Sequence, residues 1–124
     1  MALKQLQVVS VPVSDQDRAK AFYVDTLGFS LVSDTSMGEM RWIQVRPGHG
    51  ETSITLVDWF ASMPAGSTKG TVIESDDLDA DIAALSARGV HFDGGVQEAP
   101  WGRYVTLDDP DGNGLILQST SVPS

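Results

Sequence analysis

The sequence predicts an α+β fold built from two copies of a βαβββ module, and three observations carry that expectation. Two segments run from a capping residue to a closing glycine over similar lengths, Ser14 to Gly28 and Asp76 to Gly89, each with apolar residues at helical spacing. Each follows a strand-like stretch and precedes further strand-like stretches in the same order. The run Asp108-Asp109-Pro110-Asp111-Gly112-Asn113-Gly114 carries the chemistry of a tight reversal, because Pro110 presets one turn angle and Asp, Asn and Gly tolerate positive φ.

Taken in order, the segment Leu3 to Val13 contains Val8-Val9-Ser10-Val11, a run apolar on both faces that reads as a covered strand. Ser14 caps the first helix, with Asp15 and Asp17 in the first turn where the dipole favours negative charge. Ala19, Phe22, Tyr23 and Thr26 give its inner face, and Gly28 ends it near Leu27 through a left-handed cap. Strands follow at Phe29 to Ser33, Met40 to Arg46 and Thr52 to Trp59, the last two joined through Pro47-Gly48-His49-Gly50. Residues 61–68, with Pro64, Gly66 and Ser67, have linker composition. Then the order repeats. Gly70 to Ser75 is a strand, Asp76 caps a helix with Leu78, Ile82 and Leu85 on its apolar stripe, and Val90 to Phe92 starts another strand. Trp101 to Leu107 and Leu115 to Gln118 pair across the Asp108–Gly114 turn, and Ser119 to Ser124 reads as a tail. Residues 1–60 and 69–120 are thus two modules of one domain. Neither can bury a core alone, so their sheets are expected to pair into one curved, cup-like surface with the helices on its convex side.

Composition narrows the function. Seventeen acidic and eight basic residues give a formal charge of −9, which repels phosphates, so nucleic acid is not an expected partner. A cationic ligand is attracted, although acids concentrated at helix starts and turns are the ordinary dress of a solvated surface. The absence of cysteine removes disulfides, thiolate metal sites and cysteine nucleophiles together. No apolar run is long enough to span a bilayer and no targeting signal is recognisable, so the expected compartment is the cytoplasm and no membrane partner is expected. His49 and His91 each stand alone, and neither Ser10 nor Ser53 has a histidine at a suggestive position.

The stretch Ala21-Phe22-Tyr23-Val24-Asp25-Thr26-Leu27-Gly28-Phe29 resembles the first-helix signature of the vicinal oxygen chelate superfamily, which includes glyoxalase I, extradiol dioxygenases and bleomycin-resistance proteins. Asp108-Asp109-Pro110-Asp111-Gly112-Asn113 resembles its closing hairpin, and Pro100-Trp101-Gly102 is similar to resistance-type members. The resemblance covers nearly the whole chain. It implies metal ligands at four positions, which fall here on Val8, Thr55, Gly70 and Ile116, none able to donate an imidazole or a carboxylate. No metal and no other cofactor is therefore expected. The resemblance also implies a homodimer whose modules pair across subunits.

If those four positions face the cup, strand alternation adds Ser10, Val57, Trp59, Val72, Glu74 and Gln118 to the same face. Trp42, Trp59, Trp101 and Tyr104 offer flat aromatic walls, while Gln44, Thr55, Arg103 and Gln118 can orient a ligand. Each tryptophan alone is as readily a core or interface residue. Two functions fit these residues. One is metal-independent binding of an aromatic or cationic small molecule such as an antibiotic. The other is a metal-independent isomerase, epimerase or lyase with Glu74 as proton shuttle, provided burial tunes its carboxyl.

Overall fold

The computed structural model describes residues 1–48 and 50–120, so the expected turn role of His49 and the part of the expected tail over residues 121–124 lie outside the described residues, whereas Ser119 and Thr120, also expected in the tail, belong to the last strand, where the backbone goes on pairing with Arg103 and Gly102. The elements appear in the expected order. In the first half these are β1 (Val8–Pro12), α1 (Gln16–Lys20), β2 (Ser30–Met37), β3 (Met40–Arg46) and β4 (Ser53–Val57). In the second they are β5 (Thr71–Glu74), α2 (Leu78–Ala87), β6 (Phe92–Ala99), β7 (Gly102–Asp108) and β8 (Gly114–Thr120).

Both helices start one residue later than expected. Asp15 caps α1 by accepting from the Arg18 amide at 3.0 Å, and Asp77 caps α2 by accepting from the Ala80 amide at 3.1 Å. Ser14 and Asp76 each precede an equally good capping residue, and it is the second of each pair whose carboxylate reaches the third helical amide. Past Lys20 the first helix widens into a π-helical stretch, Ala21–Thr26, where the Leu27 amide donates to the Phe22 carbonyl at 2.9 Å. Gly28 and Gly89 close the helices with φ of 79° and 88°. Strand β2 runs on to Met37, beyond the expected Ser33, because Gly38 at φ 62° permits a two-residue turn that pairs Met37 with Met40.

The eight strands form two four-stranded sheets, in the orders β1-β4-β3-β2 and β5-β8-β7-β6. The first and last strands of each module run parallel and the rest antiparallel. The expected single surface is divided, because the edge strands β1 and β5 do not pair. A groove of about 630 Å³ separates them, lined on one side by Leu6 and Val9 and on the other by Val72 and Ile73.

Each sheet gives alternate residues to one common core. Val11, Ile43, Val45 and Leu56 enter it from the first sheet, Val105, Leu107, Leu115 and Leu117 from the second, and Tyr23, Leu78 and Leu85 from the helices. Since successive strand residues point to opposite faces, the intervening residues of each sheet are turned away from that core.

The two sequence signatures meet in the interior. The Tyr23 hydroxyl, fully buried in the first helix, donates to Asp109 Oδ2 in the β7–β8 turn at 2.8 Å. The same oxygen accepts from Asn113 Nδ2 at 2.8 Å, and that amide group also donates to the Pro12 carbonyl at 2.7 Å. Oδ1 of Asp109 takes the amides of Asp111 and Asn113, both at 2.9 Å. Ser14 and Arg18 reach Asp111 from the start of the first helix. The turn thus fastens one module to the other.

Candidate functional site

The outward face of the first sheet gathers five of the residues singled out by sequence. Gln44 and Ser10 flank Thr55 as its cross-strand partners, and alternation adds Trp42 and Val57. A chain of hydrogen bonds fixes the polar part: Trp42 Nε1 donates to Gln44 Oε1 at 3.0 Å, and Gln44 Nε2 donates to Ser53 Oγ at 2.7 Å. Ser53 in turn donates to the Gln7 carbonyl at 3.2 Å. Trp59 lies nearly parallel to Trp42, with ring centroids 6.5 Å apart and planes 29° from one another, and Phe60 tilts against Trp59 at 6.0 Å. Thr55 and Val57 are fully buried, and Thr55 Oγ1 has no hydrogen-bond partner. Ser53, weighed in the sequence only as a nucleophile, is placed on this face by alternation from Thr55.

The outward face of the second sheet gathers a second set. Glu74 pairs with Gln118, and Gln118 with Tyr104 on its other side. Trp101 Nε1 donates to Gln118 Oε1 at 3.3 Å, and the indole is 55% exposed. Val72 and Ile116 extend this surface as another cross-strand pair. Glu74 is exposed, so the burial that would make it a proton shuttle is missing.

Arg103 does not join this set. Next to Tyr104 in sequence, it lies on the opposite face and points at α2, where its guanidinium donates to both oxygens of Asp79 at 3.0 and 3.2 Å. That fork holds the Asp79 carboxyl below its ordinary range and raises the guanidinium.

The two sets remain apart within one chain. Trp42, Gln44, Thr55, Val57 and Trp59 occupy one outer face, and Glu74, Trp101, Tyr104 and Gln118 the other, with the common core between them.

Neither face suits a divalent ion. Val8 and Ile116 offer only hydrocarbon, Gly70 has no side chain, and Thr55 supplies one neutral hydroxyl. Among the described residues no three histidine, aspartate or glutamate side chains converge as a metal-holding group. His91 is exposed ahead of β6.

Residues 5–117 match the family model of the Glyoxalase/Bleomycin resistance protein/Dioxygenase superfamily. The chain is similar to the crystal structure of TnmS3, an antibiotic binding protein from Streptomyces sp. CB03234. The two are 50% identical with a TM-score of 0.93, over 98% of this chain and 99% of that one. It is also similar to a superfamily member from Sphaerobacter thermophilus DSM 20745, at 31% identity and a TM-score of 0.88 over 96% and 99% of the two chains. The uncharacterized protein YetH of Bacillus subtilis (strain 168) is 34% identical over 94% of this chain and 98% of its own.

Proposed function

Because the chain belongs to the Glyoxalase/Bleomycin resistance protein/Dioxygenase superfamily, we propose that it is a metal-independent binding protein for an aromatic small molecule, such as an antibiotic. It works as a cytoplasmic homodimer that holds the ligand in a cup assembled from two copies. The observation that carries this reading is the presence of two aromatic, polar-floored surfaces on opposite outer faces of one chain. Such surfaces meet only when residues 1–60 of one copy oppose residues 69–120 of another, a self-complementary arrangement that closes with twofold symmetry. The pair of Trp42 and Trp59 then forms one wall and Trp101 with Tyr104 the other, while Thr55, Gln44 and Gln118 offer hydrogen bonds to the ligand's polar edge. Glu74 and the net charge of −9 favour a ligand carrying positive charge.

The likeness to TnmS3, described as an antibiotic binding protein, supports the ligand class. The proton-transfer alternative built on Glu74 is weaker, since that carboxylate is exposed.

The test is tryptophan fluorescence during titration with a panel of aromatic antibiotics, run with and without added Zn²⁺, Mn²⁺ or Fe²⁺ and with a chelator, alongside light scattering. Quenching by an organic ligand that ignores the chelator, in a particle of dimer mass, supports the proposal. A metal-dependent response or a monodisperse monomer counts against it.

A further inference from the structure

An aspartate or asparagine precedes glycine at Asp93-Gly94, Asp111-Gly112 and Asn113-Gly114. At such a step the glycine amide nitrogen can attack the side-chain carbonyl carbon, because glycine has no Cβ to hinder the approach. Asn-Gly reacts fastest in an unstructured chain, so sequence alone ranks Asn113 first. The fold reverses that order. Asn113 is fully buried, with Oδ1 accepting from the Thr68 amide at 3.1 Å and Nδ2 donating to the Pro12 carbonyl at 2.7 Å and to Asp109 at 2.8 Å. The nucleophile it needs, the Gly114 amide, donates to the Thr68 carbonyl at 2.8 Å. Asp111 is held in the same way. Its side chain is only 5% exposed, Ser14 and Arg18 donate to Oδ1, and the Gly112 amide donates to the Asp109 carbonyl at 3.0 Å.

Asp93 has none of these restraints. It is exposed on β6, the outermost strand of its sheet, and among the described residues its carboxylate takes no hydrogen bond. The ladder breaks directly after it. Asp93 pairs with Thr106 and Gln97 with Tyr104, so Gly94, Gly95 and Val96 stand opposite Val105 alone. Gly94 has φ 74°, and a Cβ there or at Gly95 would meet nothing within 4 Å. The attacking amide therefore has no ladder partner, and the surroundings leave room for a ring.

We propose that Asp93-Gly94 is a modification site, where the chain converts spontaneously to isoaspartate and becomes a methyl acceptor for a carboxyl methyltransferase that uses S-adenosylmethionine. The Gly94 nitrogen bonds to Asp93 Cγ, and one water leaves, made of the carboxyl OH and the amide proton. The five-membered imide then takes one water back. Addition at Cγ restores aspartate, whereas addition at the main-chain carbonyl carbon breaks that carbon's bond to nitrogen and routes the backbone through Cβ and Cγ. The product carries a free α-carboxylate. One of its oxygens takes the methyl from the sulfonium, and the thioether leaves. The break in the ladder absorbs the extra backbone atom, so the rest of the fold is expected to persist. Because Asp93 pairs with Thr106 and Thr106 with Ile116, the displaced carboxylate lies on the outward face of the second sheet. The conversion requires neither a ligand nor a second copy.

The experiment ages the whole protein at neutral pH and physiological temperature and maps its peptides by mass spectrometry. Labelled methyl transfer from S-adenosylmethionine by an isoaspartyl methyltransferase counts the product. A synthetic peptide spanning residues 91–97 gives the unprotected rate, and protein unfolded in urea gives the order without the fold. In native protein, isoaspartate is expected at residue 93 at a rate within about tenfold of the peptide's. It should form at least about tenfold ahead of change at Asp111 or Asn113, since reaction there waits for the turn to open. In urea Asn113 should lead. Asp93→Glu keeps the charge, but its imide is six-membered and slow to form, so the methyl signal should disappear. The site is refuted if residue 93 lags the peptide by more than about tenfold, or if Asp111 or Asn113 changes first in the native protein. It is equally refuted if residue 93 still leads in urea, or if the Asp93→Glu protein accepts methyl as well as the wild type.

Discussion

Replacing Tyr23 with Phe tests the fastening between the two modules at its narrowest point. The substitution keeps the ring, which is fully buried, and removes the hydroxyl that donates to Asp109 Oδ2 at 2.8 Å. Asp109 is itself only 5% exposed, so water does not readily replace the lost donor. A hydrogen bond to a charged buried group is worth about 1.5–3 kcal/mol, and here one oxygen keeps Asn113 Nδ2, which points to about 2 kcal/mol. For a domain of this size that corresponds to a fall in Tm of roughly 6–12 °C.

The same contact makes a pH prediction. Burial first, and then the charge of Asp109 and its hydrogen bond, push the Tyr23 phenol far above its ordinary range. The folded state therefore holds this proton more tightly than the unfolded chain, whose phenol titrates near about pH 10. Below that value the contribution is fully present. As pH rises beyond it, the wild type should lose up to about 1.4 kcal/mol of stability per unit, and the Phe variant should lack that slope. Urea denaturation from pH 7 to 11, with Asp109→Asn and the double substitution to close the cycle, measures both effects. A loss below about 0.5 kcal/mol, or parallel pH profiles for the two proteins, would show that the hydroxyl does not fasten the modules.

Other consequences follow from neighbouring contacts. Arg41 forks onto Asp34, and Lys20 adds a further bond at 2.8 Å, which together hold the Asp34 carboxyl below its ordinary range. Asp34→Asn should lower the urea midpoint at neutral pH, and the gap should narrow as pH falls below about 4, where the unfolded carboxyl protonates. Gly66→Ala should destabilise by about 1–3 kcal/mol, because φ is 83° there and a Cβ would lie 2.1 Å from the Asp111 carbonyl oxygen. Thermal melts should place it well below Gly95→Ala, where a Cβ meets open space and no positive φ is required. Arg103→Ala should leave antibiotic affinity unchanged, whereas Gln118→Ala should weaken it about tenfold or more, as measured by calorimetry.

The order of elements was legible because its signals are local. Caps, closing glycines and the Pro110–Gly112 turn each act within a few residues. Cap positions slipped by one where two good capping residues stand side by side, as in Ser14-Asp15 and Asp76-Asp77. Strand alternation grouped Thr55 with Val57 and Glu74 with Gln118, but the single face expected for all four is two faces, because they belong to different sheets of one chain. It also separates Arg103 from Tyr104, but only the ion pair with Asp79 tells which of the two looks toward the helix. Long-range partners leave no local trace. Nothing near Tyr23 in sequence announces Asp109, and nothing in either module announces that β1 and β5 stay unpaired while both sheets turn alternate residues into a common core.

The claim that the cup is assembled from two copies is tested most directly by complementation. Trp59→Ala and Trp101→Ala alter opposite outer faces of the chain, so each alone should disable every cup in a dimer of identical copies. Unfolded together in equal amounts and refolded, they should form mixed dimers in which one cup carries both defects and the other carries none. Titration with the antibiotic should then recover about a quarter of the wild-type sites at wild-type affinity. No recovery from a mixture that forms mixed dimers would mean that the two surfaces do not share a ligand across copies.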